Sequence, residues 1–225
     1  MKIFQVGGRG YDSNIYLLKD AKENELSVLV DAGTGFDSRG VLDRIKQIEN
    51  LRNIGAIFLT HEHFDHIGGV PKLIQAIEEK KGKVKVFAHG GLAQAVRTGN
   101  IPSARMFNGE APQFEVEIEL VDQQVIKFGR EIFKVIYTPG HSGRSVSFYV
   151  ESNRDLFCGD LIFSNGGLGR WDLYGGDRGA LQKSIHKLAE LDVKGIYPGH
   201  GPYLEANGKE WIALSLVNLR DYDLG

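Results

Sequence analysis

A short apolar run followed by closely spaced metal-ligand residues constrains this chain more than any other feature. The run Ala56–Leu59 predicts a buried strand, and His61, His63, Asp65 and His66 follow it directly. Side chains alternate along an extended segment, so His61 and His63 should point to the same side and meet at one ion. Asp65 and His66 follow a turn and can reach a second ion. Imidazole and carboxylate groups bind zinc and iron, so the stretch predicts a metal site at a strand end.

Other residues of this stretch have a simpler interpretation. Glu62 and Phe64 should lie on the side opposite the histidines, where they face solvent or pack. A single histidine is usually a surface residue or a hydrogen-bonded core residue, and a His-x-His pair arises fairly often by chance. The full spacing His-x-His-x-Asp-His after a strand is far more specific, and it favours metal binding over a structural role.

Three further apolar strands end in loops that carry a ligand-type side chain, namely His141, Asp160 and His200. A strand fixes a direction, and the Gly or Pro-Gly turn after it brings the backbone close while one side chain is aimed. Each turn alone is weak support, because Pro-Gly is first of all a turn signal. The two histidines away from such ends differ: we expect His186 to be solvated on a helix and His89 to be structural.

Length and composition exclude several classes of protein. The 225 residues contain no composition break or polar linker, so we predict a single domain over residues 1–225. A net charge of −2 gives no basic surface for nucleic acid, and no apolar run reaches the length of a membrane span. The one cysteine, Cys158, excludes an internal disulfide, and the first residues do not resemble a signal peptide. We therefore expect a cytoplasmic protein.

Hydrophobic periodicity predicts strands alternating with helices, and a meander of strands in the middle of the chain. Two sheets packed together with helices outside would satisfy this pattern. Predicted strands cover 2–6, 14–18, 26–30, 56–59, 84–88, 117–120, 124–128, 131–137, 145–150, 156–158 and 195–197, with a polar turn at 19–25. Predicted helices cover 38–52 with Ser38 as cap, 69–80, 91–98, 178–191 and 205–219, and 99–114 is a predicted surface loop.

Taken together, the motifs resemble those of the metallo-β-lactamase-fold superfamily. The likeness covers nearly the whole chain and includes Asp31-Ala32-Gly33, the His61 to His66 stretch, Thr138-Pro139-Gly140-His141, Asp160 and Pro198-Gly199-His200-Gly201, in the family order. It implies an α+β fold, a four-layer αβ/βα sandwich with the site along the edge where two sheets meet. It also implies that His61, His63 and His141 hold one metal, that Asp65, His66 and His200 hold the other, and that Asp160 bridges them. Asp31 would be an outer partner that fixes the loop carrying His61, with a plain turn residue as the alternative.

Within the superfamily, the chain most resembles the hydroxyacylglutathione hydrolases, or glyoxalase II. This likeness rests on Gly159-Asp160-x-x-Phe163 and Gly169-Arg170-x-Asp172, followed by a predicted helix from Arg178. Arg170 and Asp172 would pair, either near the site or as a loop clamp. Those hydrolases carry a C-terminal helical domain that supplies glutathione-binding groups, whereas 25 residues follow His200 here. The resemblance therefore implies hydrolysis of an ester or thioester rather than glutathione specificity.

The resemblance also implies a metal-assisted mechanism. Two zinc ions per chain would share a hydroxide that attacks the substrate carbonyl, with iron or manganese as alternative metals. Asp65 would orient that hydroxide and is the predicted catalytic residue. No nucleophilic serine or cysteine is needed, and Cys158 within an apolar strand is a poor candidate. The prediction is a metallo-hydrolase of the metallo-β-lactamase superfamily.

Two other functions stay open at this point. Persulfide dioxygenases share the fold and use one iron, whose ligands would here be His61, His141 and Asp160. A non-catalytic metal-binding module is the third alternative, although an open coordination site argues against it. The expected partner is a small-molecule substrate, and the oligomeric state stays open, with a homodimer as the named option. The substrate-binding residues stay unknown; the loops Gly99–Phe114 and Ser164–Tyr174 are the candidates.

Overall fold

The apolar runs predicted as strands form two sheets in the computed structural model, which describes residues 1–20 and 25–221. The chain divides into two compact units, Met1–Leu120 with Lys127–Glu131 and Val121–Ile126 with Ile132–Gly225. The single domain predicted over residues 1–225 stays a prediction. Most of the polar turn predicted at 19–25 lies outside the described residues, because 21–24 are not among them.

The first unit alternates strands and helices, as the hydrophobic periodicity predicts. Its elements are β1 (Lys2–Gln5), β2 (Tyr16–Lys19), β3 (Ser27–Val30), α1 (Ser38–Ile48), β4 (Ile54–Phe58), α2 (Phe64–Ile67), α3 (Val70–Glu79), β5 (Lys85–His89), α4 (Gly90–Thr98) and β6 (Ile118–Leu120). The strands lie in numerical order in one sheet, antiparallel from β1 to β3 and parallel from β3 to β6. Because β3 and β4 are parallel, Asp31 and the His61 stretch emerge at the same edge.

The strand β4 is buried along its whole length, which makes its end a rigid position for the residues that follow. On one face Ile57 packs in a core with Ile45 of α1 and Ile77 of α3. On the other face Phe58 packs against Phe87, with ring centroids 4.8 Å apart. Successive side chains of a strand point to opposite faces, so one short apolar run supplies both layers of packing.

The second sheet forms the core of the second unit. Its strands are β7 (Val125–Phe128), β8 (Glu131–Tyr137), β9 (Val146–Val150), β10 (Asp155–Gly159) and β11 (Gly195–Pro198), in the order β11-β10-β9-β8-β7, and the helices are α5 (Arg178–Ala189) and α6 (Gly208–Asp221). β9 is antiparallel to both β8 and β10, and β11 is parallel to β10. The strands β8, β10 and β11 therefore run in the same direction, so His141, Asp160 and His200 emerge at the same edge. Leu181 and Ile185 of α5 belong to the core of this sheet.

The first helix differs from its prediction at both ends. Ser38 is the first helical residue rather than the cap; Asp37 holds the cap position, without a side-chain cap hydrogen bond. The helix ends at Ile48 rather than at residue 52, because Glu49 is extended. The Asn50 side chain then accepts a hydrogen bond from the Arg52 amide and begins a separate 3₁₀ turn. A polar side chain that bonds the local backbone in this way competes with the helix.

Two short helical segments lie where the sequence predicts a turn and a loop. The residues predicted as a turn after His63 form the helix α2, and the predicted loop 99–114 contains the 3₁₀ helix Pro102–Phe107. Both segments are too short to show a hydrophobic period in the sequence. The remaining predicted elements begin and end within three residues of those observed. No helix among residues 1–20 and 25–221 is long and apolar enough to span a bilayer.

Truncating Ile57 should test how much stability this strand contributes. Ile57 is fully buried, so Ile57→Ala removes apolar contacts and leaves a cavity, at a cost of about 2–5 kcal/mol in the free energy of unfolding. The matched control is Ile132→Ala, because Ile132 is 45% exposed and its truncation should change stability by less than about 1 kcal/mol. Urea denaturation of both variants measures the difference, and equal midpoints would contradict the packing described for β4.

An ionisable side chain lies in the interior of the second unit at the start of β10. Asp155 is 7% exposed, and the backbone of Gly195 lies so close that a Cβ there would overlap the carboxylate. Burial raises the pKa of the Asp155 carboxyl to about 6, although a hydrogen bond from Asn153 and the charge of Lys194 favour the ionised form. Its pKa in the unfolded chain is about 3.9. The folded state thus binds the proton more tightly, and stability falls as the pH rises through that interval.

Asp155→Asn should therefore stabilise the protein at pH 7 and leave it little changed at pH 4. The amide has the shape of the carboxyl group but does not ionise, so the loss of stability between about pH 4 and pH 6 should be reduced in the variant. Denaturant midpoints at half-unit pH intervals provide the measurement. An unchanged pH profile would show that Asp155 ionises with its ordinary pKa.

Candidate metal centre

The first group of predicted ligands lies directly after β4. His61 is fully buried, His63 is half-buried, and His61 Nε2 lies 3.1 Å from His63 Nδ1. The alternation expected of an extended segment thus brings the two imidazoles together, as predicted. Two ligand atoms at about 2.1 Å from one tetrahedral ion are about 3.4 Å apart, so this spacing fits a pair that shares an ion.

The helix α2 places the next two predicted ligands beside each other. It begins after His63, and His66 Nε2 lies 3.9 Å from Asp65 Oδ2. The backbone amide of Phe64 at its first turn donates to Ser103 Oγ at 3.0 Å, so a residue far along the chain holds the start of this helix. We refer to His61, His63, Asp65 and His66 as the first cluster.

Asp31 connects His66 with Thr60, which in turn contacts His61. Its carboxylate accepts from the Thr60 amide at 2.9 Å and from Thr60 Oγ1 at 2.8 Å, and its Oδ2 lies 2.8 Å from His66 Nδ1. A carboxylate can only accept, so His66 carries its proton on Nδ1 and has a lone pair on Nε2. Thr60 Oγ1 gives its proton to Asp31 and lies 3.1 Å from His61 Nδ1, so it accepts from that nitrogen. His61 therefore also has a lone pair on Nε2.

The backbone of the Asp31 loop packs against α2. Ala32 donates its amide to the His66 carbonyl at 2.8 Å, and a Cβ at Gly69 would overlap the Ala32 carbonyl oxygen. Asp31 itself has a φ of 59°, a left-handed conformation that Asp and Asn adopt more readily than most residues. The loop therefore needs a short polar residue at position 31 and no side chain at position 69.

The second unit holds a cluster of its own, His141, Asp160 and His200. Asp160 Oδ2 lies 3.5 Å from His141 Nε2 and 3.5 Å from His200 Nε2. Asp160 and His141 are buried, whereas the His200 side chain is 36% exposed. One carboxylate oxygen thus lies at the same distance from two imidazole nitrogens, and both distances match the separation of ligand atoms around an ion. We refer to these residues as the second cluster.

A main-chain group orients His141. Its Nδ1 lies 2.7 Å from the carbonyl oxygen of Arg170, which can only accept, so Nδ1 carries the proton and Nε2 has the lone pair. The segment can pass this close because residue 169 is glycine; a Cβ there would overlap the Asp160 carbonyl oxygen. The exposed Arg170 side chain makes two hydrogen bonds to Asp172, at 2.9 and 2.7 Å. That guanidinium lowers the pKa of the Asp172 carboxyl.

The other residues singled out in the sequence do not belong to either cluster. His89 accepts the Gly91 amide at 3.1 Å and caps α4, and His186 is exposed, so both predictions are confirmed. Glu62 and Phe64 are buried, which selects packing over solvent for both. Cys158 is buried, and burial raises the pKa of its thiol to about 12, which agrees with its dismissal as a nucleophile.

Several residues of the site were not found by sequence reasoning. Thr60 is the residue after a predicted strand, Ser103 is part of a predicted loop, and the side-chain pattern gives no sign of the role of the Arg170 carbonyl. The only available signal for Thr60 is its position directly before His61, next to a predicted outer partner. Backbone acceptors such as the Arg170 carbonyl become visible only once the chain has folded.

The sequence model of the metallo-β-lactamase superfamily matches residues 8–200 of this chain. The chain therefore belongs to that superfamily. The predicted membership is confirmed, and so is the α+β class with the metallo-β-lactamase fold. The protein is a metallo-hydrolase of this superfamily, and the family together with the clustered His and Asp residues implies divalent metal ions.

Three similar proteins help to define its position. Hydroxyacylglutathione hydrolase from Francisella tularensis subsp. novicida is 34% identical over 171 residues, which are 75% of this chain and 57% of that protein. The crystal structure of the BLEG-1 B3 metallo-β-lactamase has a TM-score of 0.79 and 29% identity, covering 93% of this chain and 96% of that one. The crystal structure of a protein in a di-iron-bound form has a TM-score of 0.70 and 30% identity, with the same shares of 93% and 96%.

Replacing Asp31 by Asn should weaken metal binding without changing the backbone. Asn tolerates the left-handed conformation, but its NH₂ group replaces one of the two acceptor oxygens used by Thr60 and His66. The loss of such an outer partner typically lowers metal affinity about 10- to 100-fold. Competition with a chelator measures the affinity, and Asp43→Asn, at an exposed position in the same unit, is the control. Equal affinities of both variants and the wild type would make Asp31 a turn residue only.

Proposed function

We propose that the first and second clusters together hold two divalent metal ions, and that the protein hydrolyses esters or thioesters of small molecules. The observation that carries this proposal is that His61, His66 and His141 each have Nδ1 committed to a neighbouring group. Their Nε2 atoms then carry lone pairs, as metal ligands require. Membership of the superfamily and the similarity to a hydroxyacylglutathione hydrolase support the reaction class.

The proposed assignment uses both clusters completely. One ion would be held by His61, His63 and His141, the other by Asp65, His66 and His200, and Asp160 would bind both. Zinc is our choice of metal, because imidazole and carboxylate ligands suit it and hydrolysis needs no redox chemistry. The similar protein solved in a di-iron-bound form makes iron the first alternative to test, with manganese as the second.

The metal ions and the protein side chains would contribute different parts of the proposed reaction. Bound ions of this kind supply a hydroxide near neutral pH and polarise a substrate carbonyl. Asp65, which is half-buried, would accept a hydrogen bond from the nucleophile and orient it. Asp31 and the Arg170 carbonyl would keep His66 and His141 in the tautomer that leaves Nε2 deprotonated. The chain itself supplies no covalent nucleophile in this proposal, since the Cys158 thiol is buried and protonated at neutral pH.

The proposed substrate class is broader than hydroxyacylglutathione, the substrate in the name of the Francisella relative. The chain spans 57% of the Francisella hydroxyacylglutathione hydrolase, so the substrate in that protein's name is not carried over. We therefore propose acyl thioesters and esters in general, with the acyl group as the recognised portion.

The direct test is hydrolysis of acyl thioesters by the metal-loaded protein. His63→Ala removes a proposed ligand and should lower kcat/KM by about 100-fold or more, the scale expected when transition-state charge loses its stabilisation. His186→Ala is the matched control, because His186 is an exposed histidine on α5, and its activity should equal that of the wild type. Elemental analysis of the same samples should give two zinc ions per wild-type chain.

Other outcomes would select other functions. Full activity in His63→Ala would refute the proposed metal site. One iron per chain, with oxygen uptake on glutathione persulfide, would establish the dioxygenase alternative. Tightly bound metal without turnover of any thioester, ester or persulfide would indicate a metal-stabilised binding module.

A further inference from the structure

A short antiparallel hairpin, residues 161–169, follows β10 in the second unit. Backbone hydrogen bonds join its two arms, among them one of 3.1 Å from the Gly169 amide to the Leu161 carbonyl. Its tip is the two-residue turn Asn165-Gly166, with φ of 60° and 70°. Left-handed φ at both positions is the mark of the type I′ turn, which Asn-Gly sequences favour. We call residues 161–169 the site hairpin.

The site hairpin adjoins all three residues of the second cluster. Asp160 directly precedes its first arm, and the residue after its second arm is Arg170, whose carbonyl orients His141. On the first arm, the Phe163 ring contacts the His200 imidazole edge to face, with centroids 6.3 Å apart, which is within the range of favourable aromatic pairs. Asp160 and Arg170 lie at the base of the hairpin, whereas Phe163 lies next to its tip. A movement of the tip would therefore act on His200 first.

The helix α6 holds the tip of the site hairpin. The Asn218 side-chain amide donates to the Gly166 carbonyl at 2.8 Å. The helix also packs closely on the turn, since a Cβ at Gly166 would lie 2.6 Å from Cγ of Leu214. At the end of the helix, the Arg178 guanidinium of α5 donates to the Leu219 carbonyl at 2.9 Å. The tip of the hairpin is thus attached to a helix that is itself held in place.

Helix stability does not account for an asparagine at position 218. Asn is a poor residue for a helix, because its side chain competes for backbone hydrogen bonds. The helix is anchored instead by apolar residues such as Ile212, which is fully buried in the core of the second sheet. The hydrogen bond from Asn218 to the turn is therefore a reason for this residue that lies outside the helix itself.

We propose that Asn218 is a positioning residue for the second cluster and acts through the site hairpin, an inference that rests on the proposed two-ion site. Its hydrogen bond fixes the tip, and the hairpin in turn holds the Phe163 ring against His200. The His200 side chain is 36% exposed, so protein packing restrains it less than it restrains the buried His141. The Phe163 ring limits the rotation of this exposed imidazole and keeps its Nε2 directed at Asp160 Oδ2, 3.5 Å away.

The experiment measures zinc binding by the full-length protein. Zinc is titrated in competition with a chelator, and the His200→Ala variant identifies which of the two binding steps belongs to the ion of His200. The test variants are Asn218→Ala, which removes the donor and favours the helix, and Phe163→Leu, which keeps an apolar side chain but removes the ring. Val217→Ala is the control, because Val217 neighbours Asn218 on α6 and is 51% exposed.

Each test variant should bind the ion of His200 about tenfold more weakly, which is the lower end of the effect of losing an outer partner. The affinity for the other ion should stay unchanged, and so should both affinities in Val217→Ala. Phe163→Tyr keeps the ring and should retain the wild-type affinities. In the His200→Ala background neither test substitution should have a further effect, because the residue through which both act is missing. Excess zinc should restore hydrolysis of the acetyl thioester of N-acetylcysteamine by Asn218→Ala.

The binding and hydrolysis readouts separate this inference from the proposed function. The expected affinities without hydrolysis of any thioester would support the positioning role and refute the proposed hydrolase. Wild-type affinity for both ions in Asn218→Ala, or equal losses at both ions, would overturn the positioning role even where hydrolysis is observed. A loss of affinity that persists in the His200→Ala background would indicate a general loosening of the fold and also overturn it. Zinc binding by the wild type that does not depend on His200 would overturn both the two-ion site and the positioning role.

Discussion

The first cluster depends on one buried carboxylate. Asp31 accepts hydrogen bonds from the Thr60 amide and hydroxyl and from His66, and Thr60 in turn accepts from His61. This network sets the tautomers of His61 and His66, and it also fixes the direction in which the chain leaves β4. Burial of a carboxylate is unfavourable unless its oxygens are bonded, and here each oxygen has a partner. The parallel pairing of β3 with β4 makes the network feasible, because it brings Asp31 and Thr60 to the same sheet edge.

In the second unit a neutral group orients His141 instead. The carbonyl of Arg170 takes the Nδ1 proton of His141, and glycine at position 169 allows the backbone to come close enough. A carboxylate behind an imidazole adds negative charge near a cation, whereas a carbonyl only fixes its orientation. His66 and His141, which the proposed assignment gives to different ions, therefore differ in basicity. A difference of this kind would let two ions in one protein differ in affinity.

The sequence allows the strands and the candidate ligand residues to be predicted, because both depend on local pattern. The apolar run before His61, the alternation that pairs His61 with His63, and the strand ends at Asp160 and His200 are all readable from neighbouring residues. The contribution of Ser103 to α2 is not, since it depends on a contact between distant parts of the chain. Likewise the end of α1 at Ile48 follows from the side chain of Asn50, which competes for the backbone locally. Contacts such as that of Tyr11 with Phe107 are set by tertiary packing, so no local sequence pattern predicts them.

Because Cys158 is buried, its reaction with an alkylating reagent reports how often the second sheet opens. The thiol lies within β10 between two neighbouring strands, and its raised pKa keeps it protonated at neutral pH. An alkylating reagent can reach the thiol only when this sheet separates from the residues packed on it. The chain has no other thiol, so the modification can be assigned to Cys158. The rate of modification therefore counts opening events in the native state, without any label or introduced residue.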